Sequence, residues 1–339
     1  MQRRLLSPAK VAGGLVFLLV VTVLVLRAVP SDNFLLLPDK AHPVAPLVTV
    51  QGQHPVQDDG GIYYVDVFER RASVFDSLFP WIHKGSTLIP ASLLIPPGVS
   101  DQAAQKADLL AMSISQKVAA AVALRRLGYN VVVRPSGVIV TNLESTSHAN
   151  GKVKSGDLIV SVNGEPTHTI AQLQTAMAKV KPGTVVSLAL VRGTQHLIAN
   201  VKTMPDPSEK GRAIIGFAPE QASQIRLPIK VQIETGNVGG PSAGLAFALE
   251  VMEKLGQDVN HGYRVAATGE IELNGAVIPI GGVKQKTVGA REAGADVFLV
   301  PVAGDNAKEA ERYAHGLKII PVKSFAQALH ALATLPPKR

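Results

Sequence analysis

The 339-residue chain contains no cysteine, one tryptophan and only 4% aromatic residues. The absence of cysteine excludes disulfide bonds, a thiol nucleophile and thiolate metal ligands. The scarcity of aromatic residues argues against a platform that stacks single-stranded nucleic acid. Hydrophobic residues make up 46% of the chain and charged residues 18%, a balance typical of globular proteins. The length suffices for a membrane segment and about two domains.

The formal net charge is +8, but Lys and Arg are scattered along the chain. Neither a dense basic run nor a recognition motif accompanies the charge, so we expect no nucleic-acid partner. A basic surface that faces anionic lipid or cell wall explains the charge instead. The histidines include His261 and His315, but no Ser-His-Asp pattern and no metal-ligand spacing is found, so we expect neither a metal nor another cofactor.

The longest apolar run lies near the N-terminus, at residues 11–29, and Arg27 is its only charged residue. At 1.5 Å per residue it forms about 28 Å of helix, close to the ~30 Å hydrocarbon core of a bilayer. Three basic residues precede the run: Arg3, Arg4 and Lys10. The N-terminus is therefore predicted to stay in the cytoplasm, with the rest of the chain outside. A cleaved signal peptide is the alternative, but residues 26–28 form a poor cleavage site, which favours an uncleaved single-pass anchor.

The region after the anchor is rich in proline. Residues 31–60 are predicted to be a membrane-proximal connection with one short strand at 47–50. The alternation at 62–68 predicts a strand, and residues 77–98 are predicted to be irregular. Helical spacing of apolar residues then predicts a long amphipathic helix at 101–127.

Residues 128–205 have the element order of a small β-rich module with one capping helix. The predicted elements are strands at 130–134, 138–143, 158–162, 185–192 and 196–202 and a helix at 170–180. The module resembles a bacterial-type PDZ domain in three blocks, Gly137-Val138-Ile139-Val140, Val153-Lys154-Ser155-Gly156-Asp157 and Ile159-Val160-Ser161-Val162-Asn163-Gly164.

The PDZ resemblance implies a peptide-binding groove. It assigns Gly137, Val138, Ile139 and Val140 to the carboxylate loop and the strand on which a peptide adds as an extra strand. The expected partners are the C-terminal ends of polypeptides. The alternative is an occluded groove in a module that only packs on its neighbour.

The last third of the chain, from about residue 211, has the alternating pattern of an α/β unit. The predicted strands lie at 229–234, 264–268, 275–279, 297–301 and 318–321, and the predicted helices at 242–255, 284–293, 307–314 and 325–332.

Ser242 lies in the small-residue turn Gly239-Gly240-Pro241-Ser242-Ala243-Gly244, at the start of a predicted helix. Serine is a favoured N-cap, so a purely structural role is one interpretation. Leu245 occupies the position where a capping box requires Glu or Gln, which weakens the interpretation of Ser242 as a helix cap. The small neighbours leave the hydroxyl accessible, and N–H groups at a helix start can stabilise an oxyanion. Nucleophile and cap both remain open at this point.

A serine nucleophile needs a base, and two lysines follow Gly281-Gly282. A lysine must be neutral to act as a base, so its pKa has to fall about 3 units from ~10.4, which requires burial. Lys284 and Lys286 lie about 200° apart on a helix, so at most one of them faces Ser242. Lys286 shares its face with Val283, Ala290 and Ala293, whereas Lys284 shares its face with Thr287 and Arg291. Lys286 is the better candidate.

With these residues placed, residues 228–332 resemble the proteolytic domain of Lon-type serine proteases. The matching blocks are the Gly-Pro-Ser-Ala-Gly turn, Ala267-Thr268-Gly269-Glu270-Ile271, the run from Val277 to Lys286, Val300-Pro301 and Ile320-Pro321-Val322. The resemblance implies Ser242 as nucleophile, Lys286 as general base and Thr268 as a hydroxyl that orients the lysine. Pro241, Ala243 and Gly244 support the serine. Glu270 either acts electrostatically at the site or is a strand-end carboxylate.

As a whole the chain resembles the membrane-anchored, PDZ-containing Lon-like proteases of bacteria. The expected architecture is an α/β (α+β) Lon-type domain with an inserted PDZ domain and one transmembrane helix. The divisions are 1–30 for the cytoplasmic N-terminus and anchor, 31–127 for a linker and the first part of the protease fold, 128–205 for the PDZ domain and 206–339 for the proteolytic domain. The resemblance implies that 62–68 and 101–127 pack on the C-terminal unit.

The implied function is an ATP-independent serine endopeptidase in a bacterial cell membrane, with its catalytic domain outside. Its partners are polypeptide substrates and, by the family resemblance, further copies in a homo-oligomeric ring. Two departures from the Lon pattern are visible: Gly239 stands where many Lon proteins carry an acid, and the chain has no P-loop sequence. The alternative function is an inert, membrane-tethered PDZ scaffold that binds peptides.

Overall fold

The computed structural model describes residues 8–55, 60–95 and 99–338; Arg3 and Arg4 of the predicted cytoplasmic flank lie outside them. Within these ranges the helices are α1 (Pro8–Ala28), α2 (Val74–Leu78), α3 (Ala91–Leu94), α4 (Asp101–Arg126), α5 (Ile170–Ala178), α6 (Gly244–Lys254), α7 (Val283–Glu292), α8 (Asn306–Tyr313) and α9 (Phe325–Ala333), with short 3-10 helices at Ala45–Leu47 and Pro80–Ile82.

The strands of the same ranges are β1 (Pro30–Pro38), β2 (His42–Pro43), β3 (Val48–Val50), β4 (Gly61–Tyr64), β5 (Val67–Ser73), β6 (Thr87–Pro90), β7 (Val132–Leu143), β8 (Leu158–Val162), β9 (Glu165–Pro166), β10 (Val185–Arg192), β11 (Gln195–Lys202), β12 (Met204–Pro205), β13 (Ala213–Ile214), β14 (Phe217–Arg226), β15 (Val231–Ile233), β16 (Arg264–Ala267), β17 (Glu270–Ile271), β18 (Val277–Ile278), β19 (Val297–Pro301) and β20 (Lys318–Val322).

Two helices are strongly apolar. In the described ranges, α4 is the helix that meets both the length and the hydropathy expected of a membrane span, but half of that stretch is buried inside the fold. Its buried side chains pack on α6, so α4 is a core helix. Residues Ala12–Ala28 of α1 form a shorter apolar helix. Its side chains from Leu15 to Leu19 are 61 to 71% exposed.

The described residues after α1 contain folded strands, so the prediction of a connection at 31–60 is wrong there, while the short strand predicted at 47–50 is confirmed as β3. Strand β1 begins at Pro30, directly after the helix, and pairs antiparallel with β5 and β6. Its middle residues Leu35 and Leu36 are buried. The flanking prolines concealed this strand because they lie at its two ends, where proline is tolerated. The single strand predicted at 62–68 is in fact the end of β4 and the start of β5.

A five-stranded sheet in the order β2-β4-β16-β19-β20 forms the centre of the protease region. All neighbouring pairs are parallel except β2 with β4. Along β16, Val265 and Ala267 join the apolar cluster that contains α4 and α6, whereas Ala266 joins the cluster that contains α7 and α8. This alternation follows from the two-residue period of a strand covered on both faces. The expected packing of 62–68 and 101–127 on the C-terminal unit is confirmed.

The PDZ region has its own core and a sheet in the order β11-β10-β8-β7-β14, with β9 on β8. Two corrections follow. The strands predicted at 130–134 and 138–143 are one strand, β7, which pairs across its full length with β14. Strand β14, expected in the proteolytic domain because it follows residue 206, is the edge strand of the PDZ sheet.

Helix α7 is held in place by a very close backbone contact. A Cβ added at Gly289 lies 1.8 Å from the carbonyl oxygen of Asp39 and 3.2 Å from Cγ1 of Val65. We expect Gly289→Ala to lower the free energy of unfolding by about 1–3 kcal/mol through overpacking, although alanine has the higher helix propensity. Urea unfolding measures this.

Gly281→Ala is the matched control for this prediction, because a Cβ at Gly281 meets no atom within 4 Å. It should leave the unfolding free energy close to that of the wild type. Equal stability of the Gly289 and Gly281 variants contradicts the close contact.

Candidate active site

Ser242 lies two residues before α6, which begins at Gly244. The N-cap of the helix is Ala243, and no side chain makes a capping hydrogen bond there. The serine hydroxyl is therefore not used as a helix cap, which removes the structural interpretation left open by the sequence. Ser242 itself is partly exposed, while Ala243 behind it is buried.

The turn that carries Ser242 is fixed by helix α4. The N–H of Gly240 donates to the carbonyl oxygen of Asp108 at 2.9 Å, and Oγ of Ser115 donates to the carbonyl oxygen of Pro241 at 2.9 Å. From the strand side, the N–H of Gly269 donates to the carbonyl oxygen of Ser242 at 2.8 Å. Helix α4 and the residue pair after β16 thus hold three consecutive residues of the turn.

Two glycines of the turn allow these close approaches. A Cβ at Gly239 lies 2.8 Å from Cβ of Asp108, and a Cβ at Gly244 lies 2.8 Å from Oγ of Ser115. Sequence reasoning missed Asp108 and Ser115. A signal for Ser115 was present, because it lies three residues from both Met112 and Val118 on the apolar face of the predicted helix.

Lys286 lies on the second turn of α7 and is only 4% exposed. Its Nζ is 2.5 Å from Oγ of Ser242 and 3.4 Å from Oγ1 of Thr268. Thr268 follows β16, is fully buried and donates from Oγ1 to the carbonyl oxygen of Ser242 at 3.2 Å. The structure therefore brings the three residues together as the sequence analysis expected.

The second lysine of α7 points elsewhere. Nζ of Lys284 donates to the carbonyl oxygen of Ser86 at 2.6 Å and lies 5.5 Å from the centre of the Tyr313 ring. Because the two lysines point to different sides of the helix, Lys286 contacts Ser242 and Lys284 does not.

The electrostatic environment favours a neutral Lys286. Burial lowers the pKa of Lys286 to about 8, although the nearby carboxylates of Asp66 and Glu69 act in the opposite direction. Burial also raises the pKa values of Asp66 and Glu69 themselves. A lysine with this pKa is neutral in a useful fraction of molecules near neutral pH, which is what a general base requires.

The other candidates do not join this site. Burial and the neighbouring Glu220 and Glu272 raise the pKa of Glu270, but no hydrogen bond in the described part of the chain links Glu270 to the serine or the lysine. His261 lies in a loop beside Asp258, and His315 follows α8.

One group of side chains has metal-ligand spacing within the described ranges. Ligand atoms of Asp39, His42 and Asp66 lie within 4.8 Å of one another. His42 Nε2 is 3.5 Å from Asp39 and 3.7 Å from Asp66, so the imidazole already pairs with both carboxylates. We assign no ion to this half-exposed group.

The peptide-binding strand expected at Gly137 to Val140 is wrong. Residues Val138 and Ile139 pair with β8 on one side, and the whole stretch pairs with β14 on the other. Neither edge is available for an added strand. The prediction failed because β14 lies far along the chain, beyond the stretch that resembled a PDZ domain.

The open groove lies one strand further out, between α5 and β14. A cavity of about 810 Å³ separates Leu173 and Met177 of the helix from the stretch Ile214 to Phe217, and Lys210 and Arg212 stand at its rim. Gly216 has φ +79°, a conformation that favours glycine, and a Cβ there meets Met204 and Ser147 at 3.0 Å.

Gln221 of β14 connects the two walls of this groove. Its Oε1 accepts from the N–H of Ile170, and its Nε2 donates to the carbonyl oxygens of Gly137 and His168. The helix start is thereby held at a fixed distance from the edge strand. No sequence motif pointed to this glutamine.

Comparison with known proteins finds two regions of the chain that match known families. Residues 215–334 match the family model "Lon protease (S16) C-terminal proteolytic domain", and residues 125–203 match that of the PDZ domain. Lon protease 2 of Thermus thermophilus is 32% identical over 126 residues, which cover 34% of this chain and 16% of that protein. Lon protease 2 of Bacillus subtilis is 37% identical over 100 residues, or 30% of this chain and 18% of that protein.

The chain therefore spans less than a fifth of the length of these two curated relatives. Among solved structures, the PDZ domain of an SdrC-like protein from Listeria monocytogenes is similar, with 22% identity, a TM-score of 0.23 and coverage of 25% of this chain and 87% of that one.

Two regions of the chain thus match known domain families, the Lon proteolytic domain and the PDZ domain. The Lon match at residues 215–334 supports a serine peptidase domain of the Lon type in this part of the chain.

Burial of Lys286 also predicts a stability effect. The folded-state pKa of about 8 lies below the ordinary 10.5, so the unfolded chain binds this proton more tightly. Burying the ammonium therefore lowers the free energy of unfolding, and this penalty has its full size below pH 8. The penalty disappears as the pH rises toward 10.5. We expect Lys286→Met to raise the free energy of unfolding at pH 7 by on the order of 2 kcal/mol.

The gain should shrink between pH 8 and pH 10, as urea unfolding across this range measures. Lys284→Met is the control, and it should bring no gain because it removes a contact with Ser86. A gain for the Lys286 variant that does not change with pH contradicts the stated cause.

Proposed function

We propose that this protein is a membrane-anchored serine endopeptidase that cleaves polypeptides without ATP, with Ser242 as nucleophile and Lys286 as general base. The observation that carries the proposal is the 2.5 Å separation of Nζ of Lys286 from Oγ of Ser242, with the lysine buried and its pKa lowered to about 8. Such a pair is the arrangement that nucleophilic catalysis by serine requires.

Ser242 and Lys286 together account for every proton transfer of the reaction. Neutral Lys286 takes the hydroxyl proton as Oγ of Ser242 attacks the substrate carbonyl carbon, and the resulting ammonium then protonates the departing amine. Water attacks the acyl-enzyme ester with Lys286 again as base, which restores the serine. Thr268 keeps Nζ directed at the serine through its contacts with both residues.

Backbone N–H groups are the candidate donors for the oxyanion. The N–H groups of Gly244 and Leu245 are occupied by the carbonyl oxygens of Pro241 and Gly269. Among the described residues, the N–H groups of Ser242 and Ala243 donate no backbone hydrogen bond, so they are the candidate donors to the developing negative charge.

The proposed location of the protease is the outer face of a membrane, anchored by α1. The exposed apolar side chains of α1 support this location, since α4 buries its apolar face against α6. The proposed domain division is an anchor and a protease fold that is interrupted by the PDZ domain. The C-terminal boundary of the PDZ domain moves from residue 205 to the end of β14. The homo-oligomeric ring stays a prediction.

The dyad is tested with three variants. Ser242→Ala and Lys286→Gln should each abolish cleavage of an unstructured protein in the absence of nucleotide, while Lys284→Gln should retain it because that lysine faces Ser86. Wild-type activity should rise as the pH increases through about 8, where Lys286 becomes neutral.

An inert scaffold gives the opposite result: no cleavage by the wild type and no covalent labelling of Ser242 by a serine-reactive probe. Retained activity of either dyad variant rejects the dyad, and cleavage that requires ATP rejects the ATP-independent mechanism.

The PDZ groove is proposed to bind the C-terminal ends of polypeptides as a strand added to β14. Gln174 lines the cavity, whereas Thr175 is exposed on the other side of α5. Gln174→Trp should fill the groove and weaken peptide binding at least tenfold, which corresponds to about 1.4 kcal/mol, while Thr175→Trp should not.

Titration calorimetry with peptides that end in an apolar residue measures this binding. The same peptides with an amidated C-terminus should bind more weakly, because the carboxylate near Lys210 and Arg212 is lost. Equal binding to both tryptophan variants would falsify the assignment of this groove.

A further inference from the structure

Five large apolar side chains are exposed in the stretch 78–94, which follows helix α2 beside the end of α1: Leu78 (53%), Trp81 (70%), Ile82 (50%), Leu93 (75%) and Leu94 (36%). We call them the 78–94 surface. Isolated exposed apolar residues are ordinary, but their concentration in one short stretch points to an interaction surface. Trp81 is the only tryptophan of the chain.

This surface is continuous with α1 through direct contacts. The N–H of Val74 donates to the carbonyl oxygen of Val29 at 2.9 Å. The guanidinium of Arg27 lies 4.9 Å from the centre of the Phe75 ring. The Phe75 ring is 4.9 Å from Phe79, and the Phe79 ring is 5.4 Å from Trp81. A row of contacting groups therefore leads from the end of α1 to the exposed tryptophan.

The chemistry of the row matches the boundary of a bilayer. Arginine at the end of an apolar helix directs its charge toward the headgroups, and tryptophan is enriched at that depth because its ring is apolar and its N–H is polar. The exposed Lys84, two residues after Ile82, adds a positive charge suited to anionic lipid.

The same segment also contacts the catalytic helix. Nζ of Lys284 donates to the carbonyl oxygen of Ser86, and Nε2 of Gln285 donates to the carbonyl oxygen of Gly85 and to Oγ1 of Thr87. These acceptors come only a few residues after Trp81. The next residue of α7 is Lys286, so the segment that carries the tryptophan supports the active site directly.

We propose that the 78–94 surface lies in the headgroup layer of the membrane that α1 enters and so directs the active site to polypeptide segments close to that membrane. The proposal rests on the anchoring of α1 proposed above. Its partner is a lipid surface; a second copy of this chain on the same residues is the competing occupant, and the experiment separates the two.

The full-length protein in phospholipid vesicles tests the first part, because intrinsic tryptophan fluorescence reports on Trp81 alone. Lipids brominated near the headgroup end of their chains should quench the emission, and the emission should be shifted to the blue relative to the protein in denaturant. The control carries Trp81→Phe and Ile198→Trp. Ile198 is 75% exposed on β11, at the PDZ sheet edge opposite β14, and its replacement should not be quenched.

Three results overturn the proposal. The first is unquenched Trp81 emission in protein that floats with the vesicles. The second is shielding of Trp81 from aqueous acrylamide without quenching by brominated lipid, which assigns the surface to a second copy. The third is equal quenching of the control variant. If the protein does not float with the vesicles, both the anchoring by α1 and this proposal are overturned. The proteolytic activity of Ser242 is judged separately, from the cleavage of soluble polypeptide.

The consequence for substrates is tested with Trp81→Glu, an exposed position outside the dyad. Cleavage of a polypeptide tethered to the same vesicles should slow several-fold, whereas cleavage of the same polypeptide in solution should proceed at the wild-type rate. Equal rates on tethered and soluble substrate for wild type and variant alike overturn the proposed preference.

Discussion

The burial of Lys286 against Ser242 is the interaction on which the rest of the structure depends. A lysine with a lowered pKa needs a site from which water is excluded, and desolvation of an ammonium opposes folding. The site is closed by the N-terminal segment: the carbonyl oxygen of Asp39 lies against Gly289, and Val67 lies against Gly282, where a Cβ comes within 2.7 Å of its Cγ2. Asp39 and Val67, remote in sequence from Ser242 and Lys286, are therefore packed against the helix that carries Lys286.

The same segment sets the balance of charges around the lysine. Asp66 and Glu69 raise the pKa of Lys286 and thereby limit the effect of burial. Asp66 is partly buried and Glu69 is exposed, and desolvation raises the pKa of each carboxyl group. The pKa of Lys286 is therefore higher than burial alone would make it. The ammonium is still formed near neutral pH, and the neutral amine keeps its affinity for a proton.

The local features of the site were predictable from the sequence, and the long-range ones were not. The spacing of Lys284 and Lys286 on one helix decided which lysine faces the serine, because a helix has a fixed angular period. The turn at Ser242 carried its own signal in its small residues. The role of Ser115 depends on tertiary packing of α4, and composition alone does not specify such packing.

Strand topology accounts for the errors that the sequence analysis made at β1 and at β14. Strand β14 pairs with β7 across the whole length of the PDZ module, and strand β1 pairs with β5 and β6. Pairing partners of this kind are chosen by the register and burial of distant residues, which no local pattern reveals. The strand expected to receive a peptide, at Gly137 to Val140, was therefore predicted without its partner β14, which leaves it no free edge.

The chain enters the PDZ region after α4 and leaves it after β14. Both connections lead to or from elements that contact the turn carrying Ser242. Helix α4, whose Asp108 and Ser115 fix the serine turn, leads into β7, and β14 leads through β15 to that turn. Gln116 of α4 donates from Nε2 to Oγ1 of Thr235, between β15 and the turn. A small apolar cluster made by the end of α4, the starts of β7 and β15 and the end of β14 packs where these crossings meet. Strand β14 and the turn that carries Ser242 are therefore connected both along the chain, through β15, and through the packing of this apolar cluster.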